Sequence, residues 1–112
     1  MRMRLASLFA LALVACQDSD VSREVGARCS DNSECDERCL APGADWPGGF
    51  CTVHCEVDAD CPVETACIEE EGGVCAFICF ADPGCAFLGN GYSCKEVDAR
   101  GGATKRTVCR GL

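Results

Sequence analysis

The stretch Cys51–Cys79, CTVHCEVDADCPVETACIEEEGGVCAFIC, decides the fold. It contains Cys55, five residues, Cys61, five residues, Cys67, an acidic run, Gly72-Gly73 and Cys75. The chain on either side repeats this plan. Unit one is Cys29, Cys35, Cys39 and Cys51. Unit two is Cys55, Cys61, Cys67 and Cys75. Unit three is Cys79, Cys85, Cys94 and Cys109. The first gap is five residues in every unit, and three residues join consecutive units. A fixed repeat of this kind predicts tandem copies of one small supersecondary unit.

A Gly-Gly pair recurs between the last two cysteines of each unit, at Gly48-Gly49, Gly72-Gly73 and Gly101-Gly102. Both residues accept positive φ without a Cβ clash, which suits hairpin turns. Strands are expected at Phe50–Val53, Val74–Ile78 and Thr107–Cys109. Turn-rich loops carrying Asp31-Asn32, Asp58 and Asp60, or Asp82-Pro83-Gly84 precede them. Pro62 predicts a single turn over Cys61–Thr65. No window has helical periodicity. The expected fold is small, disulfide-rich and mostly β, with three short hairpins and little helix.

Composition agrees. Thirteen cysteines in 112 residues exceed the roughly 8–10% that signals a disulfide scaffold. Once cysteines and the apolar start are set aside, few residues remain for a core, so covalent staples are expected to hold the domain. Formal charge is −8, and −10 without Arg2 and Arg4. Such an acidic surface argues against nucleic acid as a partner.

Residues 1–15 read as a signal peptide. Arg2 and Arg4 precede an apolar run, Leu5–Ala15, of eleven residues. That is an h-region length, well short of the ~20 residues of a membrane span. Leu13-Val14-Ala15-Cys16 resembles the bacterial lipobox. The resemblance implies a diacylglyceryl group on the Cys16 sulfur, cleavage before Cys16, and acylation of the new amino group. Several chains on one residue would anchor stably. An ordinary signal peptide is the alternative. Setting Cys16 aside leaves twelve cysteines, the even number a closed disulfide set requires. Gln17, rather than Asp, follows Cys16, and the sorting rules of the lipoprotein family then favour the outer membrane. Residues 16–27 are expected to be a lipidated cysteine and a flexible polar tether. The cysteine-rich domain is expected over 28–112, with units at about 29–51, 55–75 and 79–109.

Four cysteines allow three pairings per unit. The run C-x5-C-x5-C resembles part of the four-disulfide-core and Dickkopf-like knots. That resemblance implies Cys29–Cys39, Cys35–Cys51, Cys55–Cys67, Cys61–Cys75, Cys79–Cys94 and Cys85–Cys109. The phrasing C-x-x-D-x-D-C-P followed by G-G-x-C, here Cys55–Pro62 and Gly72–Cys75, is similar to cysteine-rich lipoproteins of myxobacteria and related proteobacteria. Unit one departs by its short Cys35-x3-Cys39 gap and unit three by its longer loops.

Chemistry-bearing residues are few. No C-x2-C pair occurs, and an oxidising compartment favours disulfides over thiolate ligands, so no metal and no cofactor are expected. His54 is the only histidine and has no nucleophile motif beside it, so no enzyme is expected. Asp58 and Asp60 could bind calcium, but Cys61-Pro62 interrupts any loop of the EF-hand kind, and capping of a turn is the simpler role. Glu69-Glu70-Glu71 opposes the basic Arg100, Lys105, Arg106 and Arg110, either as solvated surface or as a dipolar interaction surface. Trp46 is either a binding anchor or the main packing residue. The expected function is a non-enzymatic, membrane-anchored lipoprotein with a binding or structural role in the envelope, meeting a protein or glycan. The alternative is an inhibitor-like or toxin-like module presenting the loop Leu40–Phe50.

Overall fold

The computed structural model describes residues 21–102 and 104–111. The signal region, Cys16 and Gln17 lie outside the described residues. Three antiparallel hairpins follow one another. β1 (Arg38–Leu40) pairs with β2 (Phe50–Thr52), β3 (Thr65–Ile68) with β4 (Val74–Phe77), and β5 (Ser93–Asp98) with β6 (Lys105–Arg110). A 3-10 turn precedes each hairpin, at Asn32–Glu34, Asp58–Asp60 and Asp82–Leu88, and a fourth spans Glu70–Gly72 between β3 and β4. Val53 and Ile78 fall just beyond their strands, and β6 is longer than expected.

In every hairpin the third and fourth cysteines of the unit lie directly opposite: Cys39 and Cys51, Cys67 and Cys75, Cys94 and Cys109. Opposed residues of an antiparallel pair point to one face. Both sulfurs therefore reach the loop that carries the first two cysteines, and the 3-10 turn holds those two apart. The six bonds are Cys29–Cys39, Cys35–Cys51, Cys55–Cys67, Cys61–Cys75, Cys79–Cys94 and Cys85–Cys109. These are the pairs the knot resemblance implied, including those of units one and three.

A side-chain acceptor three residues after the first cysteine fixes each loop to its hairpin. Asn32, Asp58 and Asp82 accept the backbone N–H of Cys39, Cys67 and Cys94 at 2.8–2.9 Å. Two residues further on, Glu34 Oε1 accepts from the N–H groups of Ser30 and Asp31, and Asp60 Oδ2 from those of Glu56 and Val57. Unit three has Gly84 at that position. The acids of the repeat are thus turn caps. Asp58→Ala should cost about 1–3 kcal/mol in a denaturant titration, because Cys67 N–H is left buried and unpaired. Asp58→Asn keeps that acceptor and loses only a half-exposed ion pair with Arg106, so about 1 kcal/mol or less is expected.

The glycine pairs do more than turn the chain. Gly49 (φ +81) and Gly73 (φ +104) lie against the carbonyl oxygens of Cys29 and Cys55, where any Cβ would collide. Each brings the returning strand onto the first cysteine of its own unit.

The hairpins join into one body. Buried Thr52 donates its hydroxyl to Cys75 O at 2.7 Å and accepts from Cys75 N at 3.1 Å. Ile78 bridges to Val108, Cys79 N donates to Thr107 O, and Arg100 N donates to Cys67 O. Gly111 N donates to Asp45 O, returning the C-terminal strand to unit one.

Two expectations are corrected. The first concerns the core, which is contiguous across all three units and aromatic. Phe50, fully buried, lies 4.9 Å from Trp46, 6.3 Å from Phe77 and 6.4 Å from Tyr92, ring centre to ring centre. Seven aromatics are few, but four of them, Trp46, Phe50, Phe77 and Tyr92, converge because the units pack together. The second concerns the tether, which is folded from Val21 onward. Val25 is buried, Gly26 N donates to Cys51 O, and Ala27 O accepts from Cys51 N. These bonds satisfy the outer edge of β2, so residues 21–27 belong to the folded domain.

Candidate interaction surface

The basic residues expected to face a partner are each paired with acids of the chain. Arg100 contacts Glu56 at 2.9 Å and Glu69 at 3.4 Å. Arg106 pairs with Asp58, and Lys105 with Asp98, its cross-strand neighbour, at 2.6 Å. Arg110 meets Glu70 at 2.7 Å and Asp45 at 3.4 Å, and its guanidinium stands 5.9 Å from the centre of the Trp46 ring. The hairpin β5–β6 packs across the acidic loops of unit two and pairs its basic side chains with acids there. Trp46 is 3% exposed and packs against Phe50, which removes it as a binding anchor.

His54 joins this charge clamp, with Nε2 2.8 Å from Glu56 Oε2. Hydrogen bonds from Arg100, then from His54, hold the Glu56 carboxyl below its ordinary 4.5. The backbone N–H groups of Glu56 and Val57 hold Asp60 below 3.8. A carboxylate with a lowered folded pKa adds stability above its unfolded value and loses it as pH falls through the folded one. The contribution of these two carboxylates to thermal stability should therefore be complete well above pH 4.5 and be lost as pH falls below it. Glu56→Gln should flatten the upper part of that loss in a melting series.

Each unit also brings three cysteine sulfurs together within 4.8 Å, as at Cys79, Cys85 and Cys109. This closeness follows from the stacking of two disulfides per unit. Every one of these sulfurs is bonded to another, so none is a thiolate.

The fold also leaves several large apolar side chains uncovered. Phe80 is 96% exposed and Val63 86%, with Phe87 and Ile78 about half as open. Phe80, Phe87 and Ile78 line a groove of about 430 Å³ floored by Phe77 and edged by Gly84 and Glu64. A second depression shares Glu64 and Phe77 and continues over Val63 to Ser22 and Val25. A third shares Ile78 and Phe80 and reaches Lys105 and Arg106. The three abut, so the surface is continuous. Its parts are held rigidly. Phe80 follows Cys79, whose bond to Cys94 fixes the backbone there. Val63 sits in the turn closed by Thr65 N donating to Pro62 O at 3.1 Å. Glu64 takes φ +72, a left-handed conformation that costs a non-glycine residue about 1–2 kcal/mol. Ile78 N, donating to Glu64 O at 3.0 Å, holds it there. Strained residues of this kind gather at functional surfaces.

No protein-family model, curated protein or solved structure matches this chain.

This surface escapes a reading of composition, which counts its members as scarce core residues. One local signal does point to it. The residue after the first cysteine is Ser30 in unit one, Glu56 in unit two and Phe80 in unit three. A polar position of the repeat has become aromatic, without gaining a place in the core.

Proposed function

We propose that this protein is a non-enzymatic, lipid-anchored cysteine-rich module of the bacterial envelope. Its apolar surface serves as the contact face in a binding or structural role. The observation that carries this reading is the exposure of Phe80 and Val63 on a disulfide-fixed frame, where they stabilise nothing within the fold. Large apolar side chains gathered on such a frame mark interaction surfaces. The lipobox-like Leu13-Val14-Ala15-Cys16 supports anchoring, and Gln17 favours the outer membrane. The chain's acidity disfavours nucleic acid.

The groove carries the reading better than the loop Leu40–Phe50 carries an inhibitor. Ala41–Asp45 are exposed, but Gly43 N donates back to Trp46 O, and Asp45 O is already occupied by Gly111 N. A loop turned on itself has few backbone groups to offer a protease cleft.

The test is the intact mass of the membrane-extracted protein before and after reduction with alkylation. An acylated Cys16 and twelve newly alkylated thiols are the expected result. An unacylated chain carrying free thiols before reduction would overturn the reading.

A further inference from the structure

We infer that the surface formed by Val63, Ile78, Phe80 and Phe87 rests on the bilayer that holds Cys16. This inference depends on the anchoring proposed above. Its geometric basis is the way the N-terminal segment meets the domain. The tether is much shorter than the sequence suggested, because Val21 already packs against the core. Five residue steps separate Cys16 from Val21, a reach of at most about 18 Å when fully extended. The chain enters the domain at the edge of the apolar surface, since Ser22 and Val25 line the depression shared by Val63, Glu64 and Phe77. An acylated Cys16 lies at the boundary of headgroups and acyl chains. The side of the domain on which the tether emerges is therefore the side held against that boundary.

The chemistry of the surface suits this occupant. Phe80, at the tip of a loop fixed by Cys79–Cys94, can enter the interface without any rearrangement of the fold. Val63 presents a second apolar side chain from unit two. Four side chains form too small a patch to hold a protein on a membrane from solution. A short tether makes the contact intramolecular, at an effective concentration of about millimolar or more, and a weak patch then suffices. The net charge of −10 without the leader opposes attraction to anionic lipid, so the contact is apolar rather than electrostatic. It orients the domain, directing unit one and the charge clamp according to how the patch is seated.

The test uses the acylated full-length mature protein in phosphatidylcholine vesicles, with and without brominated acyl chains. Phe80→Trp and Val63→Trp place a reporter at either part of the surface, and Ala44→Trp places one in the exposed loop of unit one. Difference spectra against wild type remove the buried Trp46 signal. Brominated lipid should quench most of the added fluorescence at positions 80 and 63 and leave position 44 bright. The Phe80→Trp reporter combined with Cys16→Ser, in buffer, should emit at longer wavelength. Acylated protein whose positions 80 and 63 stay unquenched would overturn this inference and leave the anchor standing. A short emission wavelength in the Cys16→Ser protein would assign the surface to a second copy or to the chain's own N-terminal segment, and would also overturn it. A mass without acyl chains would remove the anchor and the inference together.

Discussion

Reduction of the six disulfides without denaturant is expected to shift Trp46 emission to longer wavelength and to abolish the cooperative thermal transition. Trp46 is the only tryptophan and is 3% exposed, so its emission reports directly on the core. The bonds close loops of 10 to 24 residues. A loop near 15 residues is worth about 3 kcal/mol in the unfolded ensemble. Six such constraints are not additive, but their sum exceeds the 5–15 kcal/mol by which domains are ordinarily stable. Their loss should therefore unfold the protein. Reduction should proceed in stages. Cys39, Cys61 and Cys94 are only partly buried, so their bridges open first, whereas Cys85 and Cys109 are fully buried. Stepwise alkylation read by mass would show this order. Native Trp46 emission after complete reduction would mean that the aromatic core holds the fold unaided.

Phe50→Ala, with every disulfide intact, is expected to cost about 3–5 kcal/mol in a denaturant titration. The ring is fully buried and lies against Trp46 of its own unit, Phe77 beside the junction of units two and three, and Tyr92 of unit three. Alanine would leave a cavity where the three units meet. The bridges all lie within single units. They restrain each unit but do not join one unit to the next. Joining falls to Phe50 and its neighbours, to Thr52 on Cys75, and to the charge clamp. The variant should therefore lose the packing between units first, visible as early exposure of Trp46 while the bridges remain closed. A loss under about 1 kcal/mol would show that the backbone contacts between hairpins suffice.

The two experiments separate what was legible from what was not. The cysteine spacing and the glycine pairs act over a few residues, so the three hairpins could be read from them. The pairing of cysteines followed from a resemblance, and its reason became visible only in the register, where Cys67 stands opposite Cys75. Asp58 showed its place in a turn, but not that its carboxylate would hold both Cys67 N–H and Arg106. Arg100, Lys105 and Arg106 read as a basic end. Their partners lie as far as 48 residues away in sequence, and no local pattern announces them. Trp46 was balanced between anchor and core, and the approach of Phe50 and Arg110 decided it.

By itself, then, the sequence determined an oxidised, mostly β scaffold of three repeated units, because ring closure and turn formation depend on neighbours along the chain. The tertiary structure alone decided that the units share one aromatic core, that the basic residues of unit three pair with acids of the other units, and that Phe80 and Val63 remain outside. Burial is set by which unit packs against which, and that choice is made between residues far apart in sequence.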